Sequence, residues 1–244
     1  VKAGYNLTVF NRSKNKAEPL KEFGAKISNT LKDAVDGSDI VITMLTDDTA
    51  VDAVMNNSDF LENLKSGSIV IDMSSVKPTT ATKHGNNLKL KNINYLDAPV
   101  SGGTIGAEEA SLAIMVGGEQ NIFDDAFDIL KTMGNPTLVG PIGSGQVSKL
   151  ANQIIVGLAI GAVAEAVTLC EKAGADPNKM IKALSGGWAD SKVLQTHGKR
   201  MIDKDFTPKG KTSGQLKDMN NILECANNYN TCLLYTSDAA DDMQ

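Results

Sequence analysis

A doubly wound α/β sheet followed by an all-α domain is the fold class this sequence predicts, and three patterns carry the prediction. Short β-branched runs alternate with helix-like stretches as far as about Gly140. Two of the runs, Ser68–Met73 and Tyr95–Val100, are continuously apolar, as in strands covered on both faces. From Ser144 to Ala173 no proline interrupts a stretch rich in Ala, Leu, Ile and Val, which at 1.5 Å per residue makes a helix roughly 45 Å long.

Taken in order, the predicted strands are Leu7–Phe10, Asp39–Leu45, Ser68–Met73, Tyr95–Val100 and Leu112–Val116. Helices are expected over Lys14–Phe23, Asp48–Met55, Thr79–Leu90 and Asn121–Thr132. The segment GNPTLVGPIGSG reads as the passage to the long helix. Glycines 157 and 161, four residues apart, let another backbone approach one face of it. Gly174 ends that helix and Asp176-Pro177 starts the next. The domains are therefore placed at residues 1–141 and 142–231.

Composition narrows the function classes. Of 244 residues, 41% are hydrophobic and 22% charged, as in globular proteins. A net charge of −5 without a basic run argues against nucleic acid as a partner. Cys170, Cys225 and Cys232 share no metal-ligand spacing with the two histidines, so no metal is expected, and their odd, scattered count fits a reducing cytoplasm. The longest uncharged apolar stretch, Leu150 to Ala164, contains Asn152 and Gln153 and is too short to span a membrane. The pairs Asp47-Asp48, Glu108-Glu109 and Asp124-Asp125 read as solvated helix faces. Trp188 reads as a packing residue, His84 and His197 as surface residues.

Three motifs carry chemistry. In LDAPVSGGTIGAEEASLAIMVGG a strand turns through Ser101-Gly102-Gly103, offering backbone N–H groups and a hydroxyl that suit a carboxylate. An ordinary glycine-rich turn has the same composition. In GSGQVSKLANQ, Lys149, Asn152 and Gln153 share a helix face beside apolar Leu150, Ile154 and Ile155. Lys149 there suits protonation of a developing alkoxide, with Asn152 orienting substrate or lysine; a solvated lysine is the alternative. In VFNRS, neutral Asn11 and cationic Arg12 end a strand where a Rossmann unit holds the adenosine ribose. That pair suits a 2′-phosphate, although a plain surface arginine reads the same way.

In this order, NRS…DIVITMLTDD…IDMSS…DAPVSGG…IMVGG…GSGQVSKLANQ…LKDM resembles the β-hydroxyacid dehydrogenase family. The family includes 3-hydroxyisobutyrate dehydrogenase and tartronate semialdehyde reductase (2-hydroxy-3-oxopropionate reductase), and KLANQIIVGLAIGAVAEAVTLCEKAGADP and DFTPKGK look closest to the latter branch. The resemblance implies a Rossmann domain joined by a long helix to an all-α domain, NADP as cofactor with NAD the alternative, and a homo-oligomer acting on a small carboxylate substrate. It implies that Lys149 is catalytic, that Ser101, Gly102, Gly103 and Asn152 bind substrate, and that Leu45, Thr46, Ser75 and Lys217 join Asn11 and Arg12 at the cofactor. Glyoxylate or succinic semialdehyde reduction, or a non-catalytic dinucleotide-binding scaffold, stay open beside it.

Departures are visible too. Ala110 stands where the family usually has glycine, which is expected to tighten that turn. TPKGKTSGQLKD lacks the family's aromatic and acidic residues, leaving substrate preference open. The family's first strand and G-x-G-x-x-G turn have no counterpart, and from this weak dinucleotide binding is expected. Residues 232–244, CLLYTSDAADDMQ, are expected to be non-native, because TGT CTC TTA TAC ACA TCT, an adapter-like string, encodes their first six residues.

Overall fold

A computed structural model describes residues 1–208, 210–233 and 235. The expectation of a non-native tail falls largely outside them. The chain divides into two compact units, Val1–Lys149 and Leu150–Gln244.

The first unit holds two sheets. Strands β1 (Thr8–Val9) and β2 (Lys26–Ile27) pair in parallel with each other. Strands β3 (Ile40–Thr43), β4 (Ile69–Asp72) and β5 (Asn94–Asp97) run parallel in that order. They are places 3-2 and 4-5-6 of the doubly wound order 3-2-1-4-5-6, and among the described residues no strand joins β1 to β3. The sheet continues in mixed sense. Strands β5 and β6 (Val100–Ser101) meet β7 (Leu112–Gly117) antiparallel, while β8 (Gly134–Gly140) pairs with β7 in parallel.

Helices cover both faces. They are α1 (Leu31–Val35), α2 (Asp48–Met55), α3 (Ser58–Leu61), α4 (Pro78–Lys89), α5 (Gly103–Glu108) and α6 (Gln120–Lys131). Ile69, Ile71 and Leu96 pack with Phe123 and Leu130 of α6. Val70 and Tyr95 point the other way, to Val51, Phe60 and Leu88. This two-sided burial is why these strands read as continuous apolar runs.

The sequence reading missed β8, because Pro136 cannot donate to a ladder and so demotes a strand. An edge strand bonded only to β7 tolerates it, with Pro136 opposite Ile114. The expected helix at Lys14–Phe23 is instead two 3₁₀ turns, Lys14–Lys16 and Glu18–Phe23, the second opening on Pro19. Tyr95–Val100 is broken at Ala98-Pro99 into β5 and the start of β6.

Helix α5 closes with the Ser111 N–H donating to the Gly106 carbonyl at 2.8 Å, and Ala110 just beyond it has φ of +53°. That is a Schellman closure carrying alanine at its left-handed position, where glycine is unstrained. Ala110→Gly is expected to raise stability by about 0.5–1 kcal/mol, the relief being partly offset by a freer unfolded chain. Urea denaturation checks this; a lower midpoint would show that the Cβ packs usefully.

Helix α7 (Ser144–Lys172) begins in the first unit and continues into the second. By length and composition alone it could cross a membrane. The second unit adds α8 (Pro177–Leu184), a π-helical turn Leu194–Gly198, α9 (Lys199–Ile202) and α10 (Thr212–Asn228). The Asp176 side chain caps α8 by accepting from the N–H groups of Asn178 and Lys179. Leu150 packs on Met219 and Ile222, and Val163 and Val167 on Ile181 and Leu194. A Cβ on Gly157 would stand 2.8 Å from the Met219 methyl, so α10 lies closely against α7.

Two expectations fail here. His84 is buried at 1% exposure, its Nε2 2.7 Å from Asp52 Oδ1, because α4 turns it inward. Trp188 is fully exposed in the turn after α8 and fills no core.

Candidate active site

The C-terminal ends of β3, β4 and β5 bring several predicted residues together. The Leu45 N–H donates to Ser74 Oγ at 2.9 Å, holding the loop after β3 against the loop after β4. Thr46 follows, exposed, its hydroxyl bonded to Asp47 Oδ2 at 3.0 Å. Ser75 is half-buried beside Ser74. Gln146 of α7, which is fully buried, donates from Nε2 to the Ser74 carbonyl at 2.9 Å and accepts at Oε1 from the Val76 N–H at 3.1 Å. Lys149 lies one turn further along α7, half-buried. Three sequence-predicted stretches are thus joined through a glutamine that sequence reasoning passed over.

Two buried carboxylates lie beneath. Asp72 and Asp97 sit opposite one another on β4 and β5, each at 0% exposure. Thr43 Oγ1 and the Ser74 N–H donate to Asp72 Oδ1 at 2.8 and 3.1 Å. Burial still pushes the Asp72 carboxyl above its usual range. Asp97 reaches the start of α7, accepting from the N–H of Gly143 at 2.7 Å and of Gln146 at 2.9 Å. Burial raises its pKa to about 6 against those two bonds, and the Asp72 charge adds to the rise.

The raised value has a thermodynamic sign. The folded state binds a proton near pH 6, the unfolded chain only near 3.8. Asp97 therefore favours folding most in acid, and that contribution is lost as pH rises through 6. Holding it ionised at neutral pH costs roughly 3 kcal/mol, at 1.36 kcal/mol per pKa unit.

The Ser101-Gly102-Gly103 turn joins β6 to α5, with Ser101 opposite Ala113 of β7. Gly102 has φ of +138° and Gly103 of +63°, backbone that side chains rarely adopt, and both are exposed. Asn11 and Arg12, also exposed, follow β1; Asn11 Oδ1 accepts from the Ser13 N–H at 2.8 Å, shaping the turn that carries Arg12.

The second unit carries the other two candidates on one network. Asn152 Nδ2 donates to Gln153 Oε1 at 2.8 Å, and Gln153 Nε2 to Asp218 Oδ2 at 2.6 Å. Lys217 Nζ lies 3.2 Å from Asp218 Oδ1. Asn152 and Lys217 are therefore both oriented through Gln153 and the buried Asp218, whose support was not foreseen. The signal was present in the sequence, as an amide on the lysine stripe and an acid inside an otherwise helical LKDM. Among the described residues no three His, Cys, Asp or Glu side chains group as metal ligands would.

Comparison with known proteins identifies the family. Residues 1–148 match the family model described as the NAD binding domain of 6-phosphogluconate dehydrogenase. Residues 143–244 match that described as the NAD-binding of NADP-dependent 3-hydroxyisobutyrate dehydrogenase. The 2-hydroxy-3-oxopropionate reductase of Escherichia coli K12 is 42% identical over 213 residues, covering 86% of this chain and 73% of that protein. An Arabidopsis thaliana protein named a probable mitochondrial 3-hydroxyisobutyrate dehydrogenase-like protein is 35% identical, over 92% of this chain and 75% of its own. The solved Mycobacterium tuberculosis 3-hydroxyisobutyrate dehydrogenase with L-serine superposes with a TM-score of 0.89 at 27% identity, covering 99% of this chain and 85% of that one. A Rossmann-type α/β unit, a long helix and a helical unit, matched by both family models and by these relatives, make this chain a member of the NAD(P)-dependent β-hydroxyacid dehydrogenase family of oxidoreductases.

Proposed function

We propose that the protein reduces tartronate semialdehyde to glycerate with NADPH. Lys149 carries the reading: it is half-buried, one turn from a glutamine bonded to the loop of Ser74 and Ser75. The substrate choice rests on the 42% identity to the Escherichia coli reductase. Interconversion of 3-hydroxyisobutyrate and the semialdehyde formed by its oxidation is the second reading, favoured by the second family model and the Arabidopsis relative.

The residues present fit the adenosine and nicotinamide ends of a dinucleotide, while the weak binding expected without a G-x-G-x-x-G turn bears on its pyrophosphate. Parallel strands present their C-terminal ends together, and an exposed arginine follows β1. Arg12, with Asn11, would hold the 2′-phosphate, and Leu45, Thr46, Ser75 and Lys217 the remainder. When bound, the nicotinamide supplies the hydride. Ser101 Oγ and the N–H groups of Gly102 and Gly103 receive the substrate carboxylate. The Lys149 ammonium gives its proton to the carbonyl oxygen and, until then, stabilises the alkoxide charge. Asn152 fixes the orientation of substrate or lysine.

In this reading the protein works in the cytoplasm, in keeping with free Cys170 and Cys225, and as a homo-oligomer. Exposed Ile155 and Leu169 on α7 and Trp188 beyond α8 are the apolar groups a second copy would cover.

A panel of semialdehydes assayed with NADPH and NADH tests the proposal, with tartronate semialdehyde expected to give the highest kcat/KM. Arg12→Ala in the same assay is expected to raise KM for NADPH about tenfold, the loss of roughly 1.4 kcal/mol of charge-assisted bonding, and that for NADH little. Equal effects on both cofactors would remove the NADP argument.

A further inference from the structure

Glycines close around one carboxylate at the start of α7. A Cβ on Gly145 would stand 2.6 Å from the Asp97 carbonyl oxygen and 2.8 Å from Oδ2, and one on Gly117 would overlap Oδ1. Gly143, with φ of +94°, turns its N–H onto the same carboxylate. The GSG of GSGQVSK is thus the mould of Asp97.

A helix start is ordinarily capped by a neutral or solvated side chain from its own strand of sequence. Here the cap comes from β5, 46 and 49 residues earlier, and is a buried carboxylate. Its two oxygens bond different N–H groups, so they fix the rotation of the first turn about the helix axis as well as its height above the sheet. Gln146 fixes the same turn against Ser74 and Val76. Buried charge is poor evidence of stabilisation, whereas positional control explains why it is kept.

We propose that Asp97 is a positioning residue for Lys149, holding the first turn of α7 so that the ammonium stands in register with the Ser75 loop, with Gln146 as the second anchor. The inference rests on Lys149 being the proton donor. The titratable groups that act on Asp97 are Asp72 of β4 and the buried Tyr95 phenol of β5, whose ionisation both carboxylates oppose, while His84 of α4 acts on Asp72; β7 and α7 turn glycines and one amide towards it.

Asp97→Asn is the test, since Nδ2 would aim N–H groups at an N–H that already points inward. In the full chain, kcat for reduction is expected to fall about 10- to 100-fold, the range for residues that orient a reacting group, with KM for the dinucleotide within about twofold. Reduction uses the lysine already protonated, so Lys149 gives no acid limb. The wild-type rate is expected to fall below about pH 6 as Asp97 takes a proton, and Asp97→Asn to lack that limb. An acid limb that survives belongs to another group, such as Asp72 or His84, and overturns the proposal.

A second measurement needs no turnover. Trace acetylation with acetic anhydride across pH, read by peptide mass spectrometry, is expected to move the Lys149 titration curve in Asp97→Asn while exposed Lys182 stays fixed. An unmoved Lys149 curve overturns the positioning role. Full turnover in Lys149→Ala would instead refute the donor assignment, and the labelling result would stand apart from it. Gln146→Met, which removes the second anchor and leaves Asp97 in place, carries the same readouts if Asp97→Asn does not fold.

Discussion

Lys149→Ala is expected to lower kcat for reduction by about 10²–10⁴-fold while dinucleotide affinity stays near that of the wild type. In the proposed mechanism the proton delivered to the carbonyl oxygen and the positive charge facing the developing alkoxide both come from this ammonium. Losing about 10³ in rate is about 4 kcal/mol of transition-state stabilisation, within what one well-placed acid supplies. The fold should not suffer, because alanine is the best helix former and Lys149 lies inside α7. Steady-state kinetics and cofactor titration on one sample separate the effects. Lys149→Arg keeps the charge but binds its proton too tightly to give it up, so it is expected to be nearly as inactive. Unchanged turnover in either variant would sink the role.

Gly145→Ala is expected to cost stability as heavily as Lys149→Ala costs rate. In an ordinary helix the change gains about 1 kcal/mol. Here the new Cβ would overlap the Met115 carbonyl and stand 2.6 Å from that of Asp97, both fixed in strands. Neither backbone can give way without breaking β5 or β7, so a loss of about 3 kcal/mol or more is expected, a large part of a typical 5–15 kcal/mol margin. Denaturant unfolding with an unchanged m-value measures it. Gly214→Ala, in the first turn of α10 with open space around it, is the control and is expected to stabilise slightly. A tolerated Gly145→Ala would mean that α7 can start elsewhere, which would also weaken the positioning role of Asp97.

The residues of the fold and site divide by how local their causes are. Strands β3, β4 and β7 and helices α2, α4, α6 and α7 were legible because a periodic pattern records which faces are covered. The turn at Gly174 and the cap at Asp176 were legible because capping chemistry acts over a few residues. The serine and glycines of the turn and the spacing of Lys149 from Asn152 depend only on local backbone, and so did their reading.

What depends on distant partners was not legible. A proline-bearing β8 becomes a strand only because β7 lies beside it. His84 is buried because α4 turns it toward Asp52, and Trp188 is exposed because no core reaches its turn. Neither Asp97 nor Gln146 stood out in the sequence. Their meaning is the pair of bonds that close 46 and 49 residues apart in the chain, and Gln146 crosses 70 and 72 more to the loop after β4. Sequence alone offered Lys149, Asn152 and the Ser101–Gly103 turn as candidates for the chemistry, since side-chain type and short spacing are local. Only the tertiary structure decided what holds them in place, because a buried carboxylate is tolerable only where the folded backbone brings donors to it.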